Sequence, residues 1–395
     1  MEIDFAEILL EVIERNASDL HLTAGARPTV RMRGQLVALD DFPVLTPADT
    51  RELIYSILTS DQRQRLETDW QLDFAYSIPG HGRFRVNAYF QRAALSAAFR
   101  RIPAELANID SLGLPAVVSE WTRKPRGLIL VTGPTGSGKS TSLAAVIDAI
   151  NETRDDHILT IEDPIEFLHG HKRCLVNQRE LGSDASSFAN GLKAALRQDP
   201  DVILVGEMRD METIGTAVTA AETGHLVFAT LHTQDAPQTI DRIIDVFPGA
   251  QQAQIRTQLA VALQGIMTQQ LVPTADGSGR VAACEVLVPT PAVRNLIREG
   301  KTHQIYSVIQ TGSSFGMQTM DSALAALVRA GKITRSMAES RAAVPAELTR
   351  LLGEAGGAGG MLAAPALGDG GAANGNGYGS GTASAPPPGM SPAGA

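Results

Sequence analysis

Gly133-Pro134-Thr135-Gly136-Ser137-Gly138-Lys139-Ser140-Thr141 is the stretch whose residue types and spacing point most directly to chemistry. The glycines let backbone N–H groups turn toward phosphate oxygens, and a helix starting at the end of the stretch adds partial positive charge there. Lys139 is spaced to reach the β- and γ-phosphates of a nucleoside triphosphate, and the Ser140 hydroxyl to ligate Mg²⁺. The bland alternative is a fortuitous Gly-rich turn. The flanks argue against it: apolar Leu128-Ile129-Leu130-Val131 precedes the loop, and the helical pattern Ser142-Leu143-Ala144-Ala145-Val146-Ile147 follows. The expected cofactors are ATP and Mg²⁺.

Three further clusters of polar residues follow apolar runs. Glu162-Asp163-Pro164-Ile165-Glu166 comes after Ile161, Gly206-Glu207-Met208-Arg209-Asp210 after Val205, and His232-Thr233 after Leu231. P-loop ATPases commonly end a strand with Asp-Glu, the Asp supporting the metal and the Glu activating water. Here Gly206 takes the Asp position and Glu207 remains. A carboxylate from another strand end, Glu162 or Asp163, is the candidate replacement. The metal-site candidates are therefore Ser140, Glu162 and Glu207. Otherwise Glu162, Asp163 and Glu166 cap and solvate a strand end. His232 is placed to hydrogen-bond a γ-phosphate, the alternative being a satisfied structural histidine; His225, at a strand start, is the weaker candidate. Neither has a Cys or His partner at metal-ligand spacing.

These clusters need a frame. Strand candidates at 157–161, 174–176, 202–205 and 226–230, with helical stretches at 186–198 and 211–222, imply a largely parallel sheet with helices on its faces. Such sheets bind ligands at the carboxyl ends of their strands, which is where the three clusters fall. Ahead of this unit, a helical pattern through Phe5–Ile13, short strands near Ser18–Leu22 and Val30–Arg33, a helix over Pro47–Leu58 capped by Thr46, and strands at 73–77, 82–90 and 94–102 form a small α+β domain. Arg83, Arg85, Arg100 and Arg101 lie on or beside its strands. They are either a solvated basic face or phosphate ligands offered to a neighbouring subunit. Downstream, Ala250–Leu271 reads as one long Gln-rich helix. Thr290–Gly300 is a short helix with Thr290 as N-cap and Pro291 at its first turn, and further helices cover Thr319–Ala330 and Thr334–Leu352.

The chain of 395 residues has room for two or three domains. Its formal net charge of −9 gives nucleic-acid binding no support. Cys174 and Cys284 are far apart, which fits reduced buried thiols in a cytoplasmic protein. The acidic start, Met1-Glu2-Ile3-Asp4, lacks the basic region of a signal peptide, and no apolar run reaches membrane-span length, so no direct membrane insertion is expected. The last residues, rich in Gly, Ala and Pro with Asp369 as their only charge after Ala355, read as a flexible, disordered tail. The expected domains are 1–103, a linker at 104–125, 126–353, and the tail at 354–395.

Taken together these motifs resemble the secretion-type hexameric ATPases. The resemblance rests on Gly133–Thr141, on Thr160–Glu166 as an aspartate box, on Val202–Asp210 as a strand end with Gly for Asp, and on Thr223–Thr233 as a histidine box. It extends to Ala17–Leu22 and Gly82–Asn87. Ala292-Val293-Arg294-Asn295-Leu296-Ile297-Arg298-Glu299 is similar to the box of type IV pilus retraction ATPases, with Val293 for Ile. Gln234 stands where the family usually has Asn. The resemblance implies an α/β architecture with a PAS-like N-terminal domain and a RecA-like ATPase domain, assembled as a homo-hexamer. It implies that Arg85 and Arg100 complete a neighbour's site beside Glu207, Glu162 and His232. It also implies pilus retraction (twitching motility) through the inner-membrane platform protein at the cytoplasmic face of that membrane, and through it action on the pilin fibre. A non-motor accessory ring of the pilus machine and a related nucleic-acid translocase stand as alternatives.

Overall fold

The computed structural model describes residues 4–32, 34–102 and 106–353. The expected tail from 354 and the domain boundary at 103 lie outside the described residues.

The N-terminal half contains α1 (Phe5–Glu14), β1 (Asp19–Leu22), β2 (Thr29–Met32), β3 (Gln35–Ala38), α2 (Pro47–Ser56), α3 (Ser60–Asp69), β4 (Gln71–Ile78), β5 (Gly82–Gln91) and β6 (Ala94–Ile102). Its strands form one antiparallel sheet in the order β3-β2-β1-β6-β5-β4. Alternation fixes two unlike faces. Leu20, Val30, Phe84, Val86 and Phe99 are buried with Phe5, Ile8, Leu9 and Val12 of α1 and with Leu53 and Ile54 of α2. The opposite face carries Arg31, Asp19, Arg100 and Arg85 in one cross-strand row, since Asp19 pairs with both Arg31 and Arg100, and Arg100 with Arg85. Helix α2 starts as expected, with a Thr46–Asp49 capping box and Pro47 in its first turn. Helix α3 was not expected. Leu66 is its only buried residue, so it has almost no apolar stripe, although Thr59 and Gln62 form a capping box at its start.

The second half contains α4 (Val117–Trp121), β7 (Gly127–Thr132), α5 (Lys139–Thr153), β8 (His157–Glu162), β9 (Leu175–Glu180), α6 (Phe188–Ala195), β10 (Val202–Val205), α7 (Met211–Thr223), β11 (Leu226–Leu231), α8 (Ala236–Asp245), α9 (Gly249–Ala262), β12 (Leu263–Pro273), β13 (Arg280–Leu287), α10 (Pro291–Glu299), α11 (Ile305–Thr311), α12 (Met320–Arg329), α13 (Arg335–Glu339) and α14 (Pro345–Gly353). The sheet order is β13-β12-β7-β11-β10-β8-β9, parallel from β12 to β9 with β13 antiparallel at one edge. Strands β7, β10 and β11 are buried along their whole length, as a sheet covered on both faces requires. The result is the expected α/β architecture: a small α+β unit followed by a P-loop unit built on a mainly parallel sheet. Within the segment expected as a linker, α4 inserts Trp121 into the core of the second half.

Two helix expectations need correction. The run Ala250–Leu271 is not one helix: α9 stops at Ala262 and the chain enters β12 at Leu263. Strand β12 is buried at both alternating sets of positions over most of its length, so its residues show no polar–apolar alternation to mark a strand. The run 334–352 is split into α13 and α14, because Pro345 has no backbone N–H to continue a helix and instead starts the next one.

Candidate nucleotide site

The strand–loop–helix segment of β7, 133–138 and α5 opens onto a cleft of about 800 Å³ lined by the loop and by Glu162, Glu166, Glu207, Arg209 and His232. Gly133, Gly136 and Gly138 all have positive φ, at 137°, 78° and 88°. Lys139 lies back over the loop, its Nζ donating to the carbonyls of Gly133 at 2.8 Å and Pro134 at 3.1 Å. Burial pulls the Lys139 pKa down, opposed by the carboxylates of Glu207 and Glu166. The Ser137 hydroxyl is buried without a hydrogen-bond partner. A buried orphan hydroxyl, a lysine resting on carbonyls and three glycines with positive φ together fit a phosphate chain.

The carboxylates arrive from two adjacent strands. Glu207 follows β10, and its Oε1 takes hydrogen bonds from Arg209 Nε and lies 3.1 Å from His232 Nε2 at the end of β11. Burial by itself would raise the pKa of Glu207, but the Arg209 hydrogen bond and facing His232 outweigh it and hold the carboxyl below its ordinary range. Glu162, at the end of β8, goes the other way. Burial pushes its pKa up, against hydrogen bonds from Thr160 Oγ1 at 2.6 Å and Gln178 Nε2 at 3.2 Å. Gly206 explains why no aspartate precedes Glu207. A Cβ there would sit 3.2 Å from the Ile161 carbonyl and 3.3 Å from Glu162 Cα, so a side chain would push against the strand end that carries the second carboxylate.

Among the described residues no three His, Cys, Asp or Glu side chains converge as a metal cage. Mg²⁺ does not need one, since it is held by one or two protein oxygens together with phosphate oxygens and water. Ser140, Glu162 and Glu207 all bring oxygen donors to the cleft, so the donor set fits.

Arg85 and Arg100 are not in this cleft. Both are exposed on the open face of the N-terminal sheet, directly opposite each other, and Arg100 Nε donates to Asp19 Oδ1 at 2.9 Å. Arg83, two residues from Arg85 on the same strand face, does reach the second half. Its Nη2 donates to Glu180 Oε2 at 2.7 Å, and that same oxygen accepts the Ile165 N–H at 3.1 Å. Reading the sequence singled out the loop, Glu162, Glu207 and His232, and the structure brings all of them to one cleft. It did not find the Arg209 and Glu180 partnerships, or Gln269, whose side chain contacts the P-loop.

A family profile described as "Type II/IV secretion system protein" matches residues 1–335. The chain is 51% identical over 343 residues to the type IV pilus retraction ATPase PilT of Pseudomonas aeruginosa, covering 87% of this chain and 99% of that one. It is 50% identical over 315 residues to a twitching motility protein of Neisseria gonorrhoeae, covering 80% and 84%. Among solved structures, the pilus retraction motor PilT with bound ADP superposes with a TM-score of 0.83 at 53% identity, covering 88% of this chain and all of that one. The chain belongs to the type II/IV secretion system protein family and is a nucleotide-binding P-loop ATPase.

Proposed function

We propose, starting from that membership, that this chain is the motor subunit of a type IV pilus retraction machine. It works as a homo-hexameric ring on the cytoplasmic side of the inner membrane. It hydrolyses Mg²⁺-ATP and acts on the platform protein at the pilus base, drawing pilin subunits out of the fibre. No helix among the described residues is long and apolar enough to cross a membrane.

The observation that carries the reading is the carboxylate of Glu207, kept ionised on the wall of the P-loop cleft and paired with His232. A triphosphate entering the cleft offers Lys139 better acceptors than the two loop carbonyls it now holds. It offers His232 a γ-phosphate oxygen in place of Glu207. Glu207, released from His232, accepts a hydrogen bond from the attacking water and polarises it. Glu162 orients that water from the neighbouring strand end. Mg²⁺, when bound, offsets the phosphate charge, with Ser140, Glu162 and Glu207 as its protein-side oxygens. Arg85 and Arg100 of the next subunit then meet the charge that develops on the transferred phosphoryl group.

The test is steady-state ATP turnover per subunit against protein concentration. A site completed between subunits gives turnover that rises with concentration, and Glu207→Gln abolishes it. In cells, Lys139→Ala should leave pili assembled and unable to retract. Normal retraction by the Lys139→Ala protein would overturn the motor reading in favour of an accessory ring.

A further inference from the structure

The P-loop is held from behind by a residue outside it. Gln269, on β12, is only 2% exposed. Its Nε2 donates to the Ser137 carbonyl at 2.8 Å, and its Oε1 accepts from the Ser142 hydroxyl at 2.8 Å. The amide can take only this orientation. A carbonyl has no proton to give, so the NH₂ end must face Ser137, and the oxygen is left for the hydroxyl of Ser142. One residue earlier, Thr268 Oγ1 lies 2.8 Å from Thr132 Oγ1, joining β12 to the last residue of β7. The fit behind the loop is close. A Cβ on Gly133 would lie 2.3 Å from the Gln269 carbonyl oxygen, and one on Gly138 would lie 2.8 Å from Gln269 Nε2.

We propose that Gln269 is a positioning residue for nucleotide binding, and that it locks the Ser137–Gly138 peptide with its N–H toward the phosphates and its carbonyl away from them. A phosphate cradle works only while the amide N–H groups face inward, which leaves the carbonyls needing donors on the outside. The Ser137–Gly138 peptide is the weak point. Gly138 has φ of +88° and no Cβ, so little steric resistance opposes rotation of the peptide before it. A flipped peptide would point an oxygen at an anion. The donor that prevents this comes from β12, separated from β7 by four strands in the sequence and lying immediately beside it in the sheet.

The inference rests on nucleotide binding at this loop and on nothing about the pilus. The measurement is titration with the fluorescent probe mant-ADP in the presence of Mg²⁺, together with steady-state kinetics and a thermal melt. Gln269→Met keeps the side-chain volume and removes both hydrogen bonds. It should weaken mant-ADP binding about tenfold, the size expected when a buried carbonyl loses its only donor. The loop grips substrate and transition state alike, so KM for ATP should rise while kcat stays near that of the wild type. Ser142→Ala leaves the donor to Ser137 but frees the far end of the amide, and should weaken binding in the same direction by about two- to threefold. A purely structural role would lower the melting temperature and leave the affinity of the folded protein alone. Either variant, folded and binding mant-ADP as tightly as the wild type, overturns the proposal. If Gln269→Met does not fold, the Ser142→Ala titration decides. A wild type that does not bind mant-ADP would instead refute nucleotide binding at the loop itself.

Discussion

The P-loop cleft and the arginine face of the N-terminal sheet are both rich in charged and polar groups, yet they are held in opposite ways. In the cleft the main charged groups, Lys139, Glu207 and Glu162, already have partners within the same chain. Lys139 rests on two carbonyls, Glu207 on Arg209 and His232, Glu162 on Thr160 and Gln178. On the sheet face, Arg85 is exposed and has no ion-pair partner among the described residues, and Arg100 is tethered only to Asp19. The difference separates a cleft whose charges are paired by its own fold from an exposed row of arginines that, on our reading, serves a neighbouring subunit. On that reading an isolated chain can bind nucleotide in its cleft, while its arginine face acts only on a neighbouring subunit's site.

The sharpest way to break this contrast is Glu207→Gln. On our reading kcat falls about 10³-fold while mant-ADP affinity stays within a few-fold of wild type, because the glutamine keeps the shape and loses only the charge that polarises water. A large loss of affinity would mean that Glu207 builds the cleft rather than serving the reaction. Next come Arg85→Ala and Arg100→Ala. Each should lower kcat about 10²-fold and leave mant-ADP binding untouched, since neither side chain reaches its own cleft. Mixing inactive Arg85→Ala with inactive Glu207→Gln should restore turnover, because some interfaces would then pair an intact Glu207 with an intact Arg85. Activity that stays lost in the mixture would place Arg85 within its own chain's chemistry and erase the contrast.

A smaller effect separates the two carboxylates. Glu162 has a raised pKa and Glu207 a lowered one, so as pH falls Glu162 takes a proton first and Glu207 later. The acid limb of the pH–kcat profile should therefore follow Glu162. Glu162→Gln should lower kcat by about tenfold near neutral pH and move the acid limb to lower pH, where Glu207 titrates. An unmoved limb would assign it to another group. The smallest effect is expected at Asp19, whose own pKa is lowered: burial opposes this, and hydrogen bonds from Ser18 and Arg100 prevail. Asp19→Asn should change kcat by no more than about two- to threefold, the scale of one ion pair whose arginine is exposed. Its direction is informative, because a rise would mean that Asp19 holds Arg100 back.

Local chemistry in the sequence was enough to find the P-loop, since its glycines and lysine act within nine consecutive residues. The strand ends bearing Glu162, Glu207 and His232 were also legible, because short β-branched runs punctuated by acidic residues can hardly be read otherwise. Gln269 was not, and for a physical reason. It lies in a stretch read as helix, on a strand buried at both alternating sets of positions over most of its length, where burial leaves no period of two to detect. The reason for Gly206 was equally hidden, because it depends on the distance between two strand ends that are more than forty residues apart in the chain. The partnership of Glu180 with Arg83 depends on the approach of β5, which no local signal gives. What the sequence withholds is which polar side chain faces which, and that is set by strand order.

Glu180 also bears on how this molecule could be taken apart and recombined. One carboxylate oxygen serves both Arg83 of the N-terminal sheet and the backbone of Ile165, and Glu180 is almost wholly buried. An ATPase half joined to an N-terminal domain that lacks an arginine at this position would keep an unpaired buried carboxylate, a defect of about 3–5 kcal/mol by analogy with other broken buried pairs. The two halves are therefore not freely interchangeable parts. A chimera between relatives has to carry Arg83 and Glu180 over together, or neutralise both.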